Sequence, residues 1–323
     1  MFSVFVTRKI SEAGLSLLRA RKDVKLVVYG KNQTIPRAEL LKKINGCDAV
    51  LTLLNNLVDA KFFSSAGKQL KVVANYAVGY DNVDLAEAER RGVVVTNTPM
   101  VLNDAVAEHT IALIMAVSKR IVEADGFLRS GKYKGWAPEL FLGTELTGKV
   151  LGIIGTGNIG SGVARRAKHG LGMQVVYSDV KKNEQLEKET GATFMSTDEV
   201  LKTADIISLH VPLLDSTRHL INAKRITMMK KGAYLINTSR GPVIDEKALV
   251  KALKAGRIAG AGLDVFEFEP KLSAGLAKLK NIVITPHTAS ATTEARDRMA
   301  VLAVKALLSV LDGKRPENVV SMK

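Results

Sequence analysis

At 323 residues, with 46% of them hydrophobic, the chain exceeds what one core usually serves and points to two domains. No apolar run approaches the roughly 20 residues of a membrane helix, and the opening segment MFSVFVTRKI reads as a strand, not as a secretion leader. A lone cysteine, Cys47, leaves no internal disulfide and no thiolate cluster, so a reducing cytoplasm and the absence of a metal site are expected. The net charge of +15 raises nucleic-acid binding. Its placement speaks against that: basic residues are scattered from Arg8 to Arg315, and no basic run is interleaved with aromatics. A basic surface that draws in small carboxylates and an anionic cofactor is compatible with the same distribution.

In chain order, short apolar strands alternate with longer amphipathic helices, the pattern of an α/β fold with parallel sheets. The first series of strands is Phe2–Val6, Val24–Tyr29, Ala49–Thr52, Lys71–Ala74 and Val93–Thr96, with helices at Ser11–Arg19 and Arg37–Ile44. Asp104–Val117 is apolar on most faces and reads as a helix buried on more than one side. Arg129–Leu146, with its Gly, Pro, Trp136 and Phe141, reads as an extended arm. The second series is Val150–Ile154, Gln174–Ser178, Ile206–His210, Tyr234–Thr238, Gly260–Val265 and Ile282–Thr285. A helix over Thr292–Leu311 follows.

The sharpest local signal opens the second series. Strand Val150–Ile154 runs into Gly155-Thr-Gly157-Asn158-Ile159-Gly160 and then into a helix beginning near Ile159. In such a turn Gly155 permits the tight bend, Gly157 lets the backbone approach a pyrophosphate, and Gly160 allows helix and strand to pack closely. Asp179 follows the next strand, about twenty residues past the turn, where a carboxylate accepts ribose hydroxyls. Its charge would repel a 2′-phosphate, which favours NAD over NADP; Lys181 and Lys182 close behind soften that repulsion.

Ligands of parallel sheets bind at the carboxyl ends of strands. Three reactive groups sit there: Arg240 after Tyr234–Thr238, Glu269 beyond Gly260–Val265, and His287 after Ile282–Thr285. Reducing a 2-oxo acid needs a cation for its carboxylate and carbonyl, an acid for the emerging alkoxide, and a fixed hydride donor. Arg240 fits the first role, because a guanidinium grips a carboxylate in a plane and stays charged. His287 fits the second, and a carboxylate bonded to it would favour the imidazolium and hold its tautomer. Glu269 takes that place, with Glu267 as a rival. The nicotinamide supplies the hydride. Of the other histidines, His210 is placed to line the cofactor cleft with Val211 and Pro212. His109 falls within an apolar helix, His169 at a helix end and His219 near a helix approach, and all three are set aside.

These residues resemble the D-2-hydroxyacid dehydrogenase family, most closely its glyoxylate/hydroxypyruvate reductase branch. The resemblance spans nearly the whole chain and is carried by Val73–Asp84 (VANYAVGYDNVD), Val94–Pro99 (VVTNTP), the Gly155–Gly160 turn, His210–Pro212 (HVP), Ile236–Gly241 (INTSRG), Gly260–Phe266 (GAGLDVF) and Thr285–Ala291 (TPHTASA). It implies a Rossmann dinucleotide-binding domain over 101–287, with a dimerisation arm, and a flavodoxin-like substrate domain over 1–100 and 288–323, the active site lying in the cleft between them. It assigns substrate anchoring to Arg240, acid/base work to His287 and partnership to Glu269. It adds the backbone amides of Val78 and Gly79 on the substrate carboxylate, with Asn55 also on the substrate side. On the cofactor side it adds Thr217 near the pyrophosphate, Asp264 and Thr238 near the nicotinamide half, and Ala289 from the last motif. It further implies a cytoplasmic homodimer in which Trp136 of the arm reaches the neighbouring subunit's site. Asn103, where many relatives have Thr, and Phe268, in a variable slot, depart from the pattern. Two alternatives remain open at this point: an enzyme acting on 3-phosphoglycerate, and a corepressor-like protein that binds NAD as a sensor. A chain ending at Lys323 with no regulatory domain disfavours the first, and no basic side chain in Asn55–Leu57 or Asn75–Gly79 awaits a phosphate.

Overall fold

A computed structural model describes residues 1–321. The chain runs β1 Phe2–Val6, α1 Glu12–Arg19, β2 Val24–Val28, α2 Arg37–Lys43, β3 Ala49–Thr52, α3 Ala60–Ala66, β4 Val72–Asn75, α4 Leu85–Arg90 and β5 Val94–Thr96. It continues through α5 Asn103–Ser118, α6 Ile121–Arg129, β6 Val150–Ile154, α7 Asn158–Leu171, β7 Gln174–Ser178, α8 Glu184–Thr190, β8 Thr193–Phe194, α9 Thr197–Thr203 and β9 Ile206–Leu209. The remainder is α10 Ala223–Met228, β10 Tyr234–Asn237, α11 Glu246–Lys254, β11 Gly260–Leu263, β12 Ile282–Ile284, α12 Thr293–Leu311 and β13 Val319–Val320. Side-chain caps mark the helix starts, as at Ser11 of α1, Asp59 of α3 and Asp245 of α11, each accepting a first-turn amide.

Two compact units result, Asn103–Ser290 and the remainder. In the unit that holds the amino terminus, six strands lie in the order β13-β5-β4-β3-β1-β2, parallel except for β13, which pairs antiparallel with β5. Strands β3 and β4 are buried at every position, as a sheet covered on both faces demands. Helix α12 returns from beyond the second unit and packs on α1. Gly14 makes that approach possible: a Cβ there would lie 2.7 Å from the Ala300 backbone.

The second unit carries seven parallel strands in the order β12-β11-β10-β9-β6-β7-β8. Its two faces bury separate apolar clusters, one around Ile207, Leu235, Leu249 and Leu263, the other around Leu151, Ile153, Val163, Tyr177 and Ile236. The order reverses at β6, flanked by β9 and β7, so the glycine turn after β6 and His210 after β9 open on the switch point where ligands of such sheets bind.

Several strands end sooner than their apolar runs suggest: β2 at Val28, β9 at Leu209, β10 at Asn237, β11 at Leu263 and β12 at Ile284. Apolar residues beyond the ladder continue into the packed strand-end loops, as Val265 and Phe266 do, both buried. The fourth strand is displaced by one residue, to Val72–Asn75, and α7 begins at Asn158. No helix or strand occurs between Arg129 and Val150, and Trp136 is 83% exposed there.

Candidate active site

The glycine turn is built as its spacing requires. Gly155 has φ +94°, and a Cβ on it would meet the His210 backbone at 2.8 Å. A Cβ on Gly160 would lie 2.1 Å from the Gly155 carbonyl oxygen. Gly157 differs: a Cβ there would meet nothing within 4 Å, and no side chain caps α7, whose N-cap it is. An open backbone face at the uncapped start of a 14-residue helix is the fit for a pyrophosphate. Asn158 and Ile159 form the first residues of that helix.

Asp179 lies just past β7 and is bonded back into the glycine turn. Its Oδ2 accepts from the Thr156 amide at 2.6 Å and the Thr156 hydroxyl at 2.9 Å, and its Oδ1 from the Val180 amide at 2.6 Å. Asn183 braces the same corner, donating to the Thr156 carbonyl and to Ser161 Oγ. Neither Thr156 nor Asn183 stood out in the sequence, since any residue satisfies the variable positions of the turn.

Across the switch point His210 is held by Ser208, Oγ to Nε2 at 2.8 Å, and desolvation of its ring lowers its pKa to about 3. It therefore lines this corner as a neutral group. Beyond Pro212, Thr217 accepts from the Leu214 amide at 2.8 Å and shapes the loop at Val211 and Pro212.

The strand ends of β10, β11 and β12 bring the reactive groups together. His287 Nδ1 donates to Glu269 Oε2 at 2.9 Å, which leaves Nε2 as the outward nitrogen. Glu269 Oε1 is fixed by the Phe266 amide at 3.0 Å. Burial pulls the Glu269 carboxyl upward, but the hydrogen bond and charge of His287, with the Phe266 amide and the Arg240 guanidinium, carry it below its ordinary range. That places Arg240 within electrostatic reach of the pair. Arg240 Nη1 also donates to the Ser239 carbonyl, and the Asn237 side chain donates to the Arg240 carbonyl.

The two glutamates have different partners. Glu267 Oε1 accepts from His219 Nε2 at 2.7 Å and its Oε2 from the Glu246 amide, so it is committed elsewhere. His219, set aside on a helix approach, has instead a left-handed backbone, φ 50°, that aims its ring at Glu267.

Asp264 is wholly buried. Its Oδ1 accepts from the Thr285 hydroxyl and the Thr288 amide, and its Oδ2 from the Ala289 amide. Both Asp264 and the Ala289 amide thus brace the His287 loop. Thr238, after β10, bonds to Thr110 of α5 at 2.9 Å. In the other unit, Asn55 donates to Thr34 Oγ1 at 2.6 Å. The Val78 and Gly79 carbonyls accept from Asn97 and Asn75. No group of three or more His, Cys, Asp or Glu able to hold a metal occurs among the described residues, nor a helix long and apolar enough to cross a membrane.

Comparison with known proteins agrees with this chemistry. The family model for the NAD-binding domain of D-isomer-specific 2-hydroxyacid dehydrogenases matches residues 111–289. A glyoxylate reductase of Thermococcus litoralis is 49% identical over 98% of this chain and 96% of its own. A crystal structure of a protein from Thermus thermophilus superposes with a TM-score of 0.92 at 44% identity, covering 98% of this chain and 99% of that one. The D-lactate dehydrogenase of Aquifex aeolicus, solved with NAD and lactic acid, has a TM-score of 0.86 at 33% identity over 99% of each chain.

Proposed function

The chain belongs to the D-isomer-specific 2-hydroxyacid dehydrogenase family, and from this premise we propose that it reduces glyoxylate with NADH, taking hydroxypyruvate as a second substrate. The observation that carries the reading is the His287–Glu269 pair at adjoining strand ends, within electrostatic reach of Arg240 and on the same sheet as the glycine turn.

Arg240 binds the substrate carboxylate and polarises the adjacent carbonyl. NADH, which the Gly155–Gly160 turn and Asp179 would hold, would supply the hydride for the carbonyl carbon. His287 delivers the Nε2 proton to the carbonyl oxygen as it gains charge, while Glu269 holds the ring by Nδ1 and stabilises its protonated form. The alcohol leaves, and His287 regains a proton from water. In the reverse direction the neutral imidazole removes the hydroxyl proton. The small substrate side chain is in keeping with the glyoxylate reductases among the relatives. Val78, Gly79 and Asn55 on the substrate, and Thr217, Thr238, Asp264 and Ala289 on the cofactor, enter the proposal through the family resemblance. So do a cytoplasmic location and a homodimer. Exposed apolar residues of the arm, Trp136 at 83% and Leu142 at 65%, with Leu128 of α6 just before it at 60%, support the dimer.

The test is loss of NADH absorbance with glyoxylate, hydroxypyruvate and pyruvate, repeated with NADPH. Turnover ranking glyoxylate or hydroxypyruvate first with NADH supports the reading. Exclusive use of a larger or phosphorylated 2-oxo acid sinks the substrate assignment, and sedimentation as a monomer sinks the dimer.

A further inference from the structure

His287 occupies a strained position. Its φ is 55°, in the left-handed region, which is unfavourable for a side-chain-bearing residue and persists only where the surroundings impose it. Two backbone bonds do so directly: the His287 amide donates to the Asp264 carbonyl at 2.8 Å and to the Thr285 carbonyl at 3.0 Å. The buried Asp264 carboxylate holds the chain on either side. Its Oδ1 takes the Thr285 hydroxyl at 2.5 Å and the Thr288 amide at 2.8 Å; its Oδ2 takes the Ala289 amide at 2.8 Å.

One further group touches this assembly. His109 Nε2 of α5 lies 2.9 Å from Thr285 Oγ1 and 3.6 Å from Asp264 Oδ1. The direction of the shorter contact follows from proton counting. A threonine hydroxyl has one proton, and that of Thr285 goes to the carboxylate, so Nε2–H of His109 must donate to Thr285. The next residue, Thr110, donates to the Val106 carbonyl at 2.8 Å, which makes Thr238 the donor in the Thr110–Thr238 bond. Adjacent residues of one helix therefore fasten the ends of β12 and β10, the strands that lead to His287 and Arg240. The helix packs close on the sheet: a Cβ on Gly260 or Gly262 of β11 would strike Val117 at 2.9 Å or Leu113 at 3.1 Å.

We propose that His109 is a positioning residue for His287, acting through Thr285 and Asp264. Donation from Nε2 fixes the Thr285 hydroxyl on Asp264, and Asp264 then fixes the loop whose left-handed turn aims the His287 ring. This rests on the assignment of His287 as the acid/base.

The experiment compares His109→Phe, His109→Gln, Thr285→Val and the double variant His109→Phe/Thr285→Val. For His109→Phe, kcat with NADH and glyoxylate falls about tenfold to a hundredfold, the range for a displaced reacting group, while glyoxylate KM and NADH Kd move by less than about twofold. Gln, whose amide donates in place of Nε2, restores most of kcat. The double variant is no slower than Thr285→Val alone, because both substitutions cut one chain of bonds. Amide exchange over residues 287–289, followed by mass spectrometry without substrate, quickens in His109→Phe and Thr285→Val but not in His109→Gln. Wild-type kcat and wild-type exchange in His109→Phe, or additive losses in the double variant, would overturn the proposal. Should wild type prove inactive on every 2-oxo acid, the function is wrong, and the exchange pattern alone decides the role of His109. Should His109→Phe not fold, Thr285→Val, which deletes the same bond from the other side, carries the same expectation.

Discussion

Asp179 and Thr156 are joined twice, the carboxylate taking both the amide and the hydroxyl of a single residue inside the glycine turn. The carboxylate proposed to meet the adenosine ribose is thereby held in place by the turn itself. Asp179→Ala removes the repulsion of a 2′-phosphate, and the ratio of kcat/KM for NADH over NADPH falls by about tenfold or more. Thr156→Val removes only the hydroxyl bond and lowers the ratio less. An unchanged ratio in Asp179→Ala takes this residue out of cofactor choice.

Glu269 is a carboxylate with a lowered pKa, and the sign of its effect follows. A group lowered in the folded state adds stability that is present above the unfolded value, near 4.5, and is lost as pH falls through the folded value. Urea midpoints of wild type and Glu269→Gln therefore differ above pH 4.5 and converge in stronger acid. In catalysis, Glu269→Gln withdraws the carboxylate that fixes the His287 ring by Nδ1, so kcat for glyoxylate falls by about tenfold or more. Wild-type kcat in Glu269→Gln contradicts the partnership.

Gly241, immediately after Arg240, touches the turn that precedes Glu269. A Cβ there would lie 1.9 Å from both the carbonyl carbon and oxygen of Phe266, backbone that cannot yield cheaply. Gly241→Ala is expected to cost about 3 kcal/mol or more of stability and to raise glyoxylate KM as the Arg240 loop shifts. Gly30→Ala is the control, since a Cβ there meets nothing within 4 Å. Equal melting temperatures for the two variants refute the packing assignment.

His210 behaves oppositely to a paired histidine. Unfolded, it takes a proton near 6.5; folded, desolvation delays this to about 3. Between those values the unfolded state binds the extra proton, so stability falls as pH drops through the window, by up to about 1.4 kcal/mol per pH unit. His210→Gln flattens that slope in urea titrations from about pH 7 to about pH 3; an unaltered slope shows that the ring protonates freely in the folded chain.

Much of the site was legible because its residues occupy positions that a period or an offset marks. The Gly155–Gly160 turn follows an apolar strand, Asp179 comes at the expected distance, and Arg240, Glu269 and His287 all close apolar runs. Glu267 and Glu269, two residues apart on one loop, are told apart in the sequence only by the family pattern, which puts the partner immediately before Pro270; in the structure they differ through His219, whose left-handed backbone no pattern announces. His109 carries no positional signal for a similar reason. Its helix is apolar on most faces, and which face meets β12 depends on the close packing that Gly260 and Gly262 permit. Strand ends were overrun where the apolar run outlasts the ladder, and β13, two residues long and antiparallel, carries no periodic signal at all.

The most direct measurement is stopped-flow oxidation of NADH by glyoxylate in wild type and His287→Gln, with NADH affinity determined for each by fluorescence. Wild type should oxidise bound NADH in a rapid phase, and His287→Gln should bind NADH equally well yet oxidise it about a hundredfold to ten-thousandfold more slowly. Full-rate oxidation by His287→Gln, or tight NADH binding by wild type with no oxidation, would contradict acid/base reduction of a 2-oxo acid at this site.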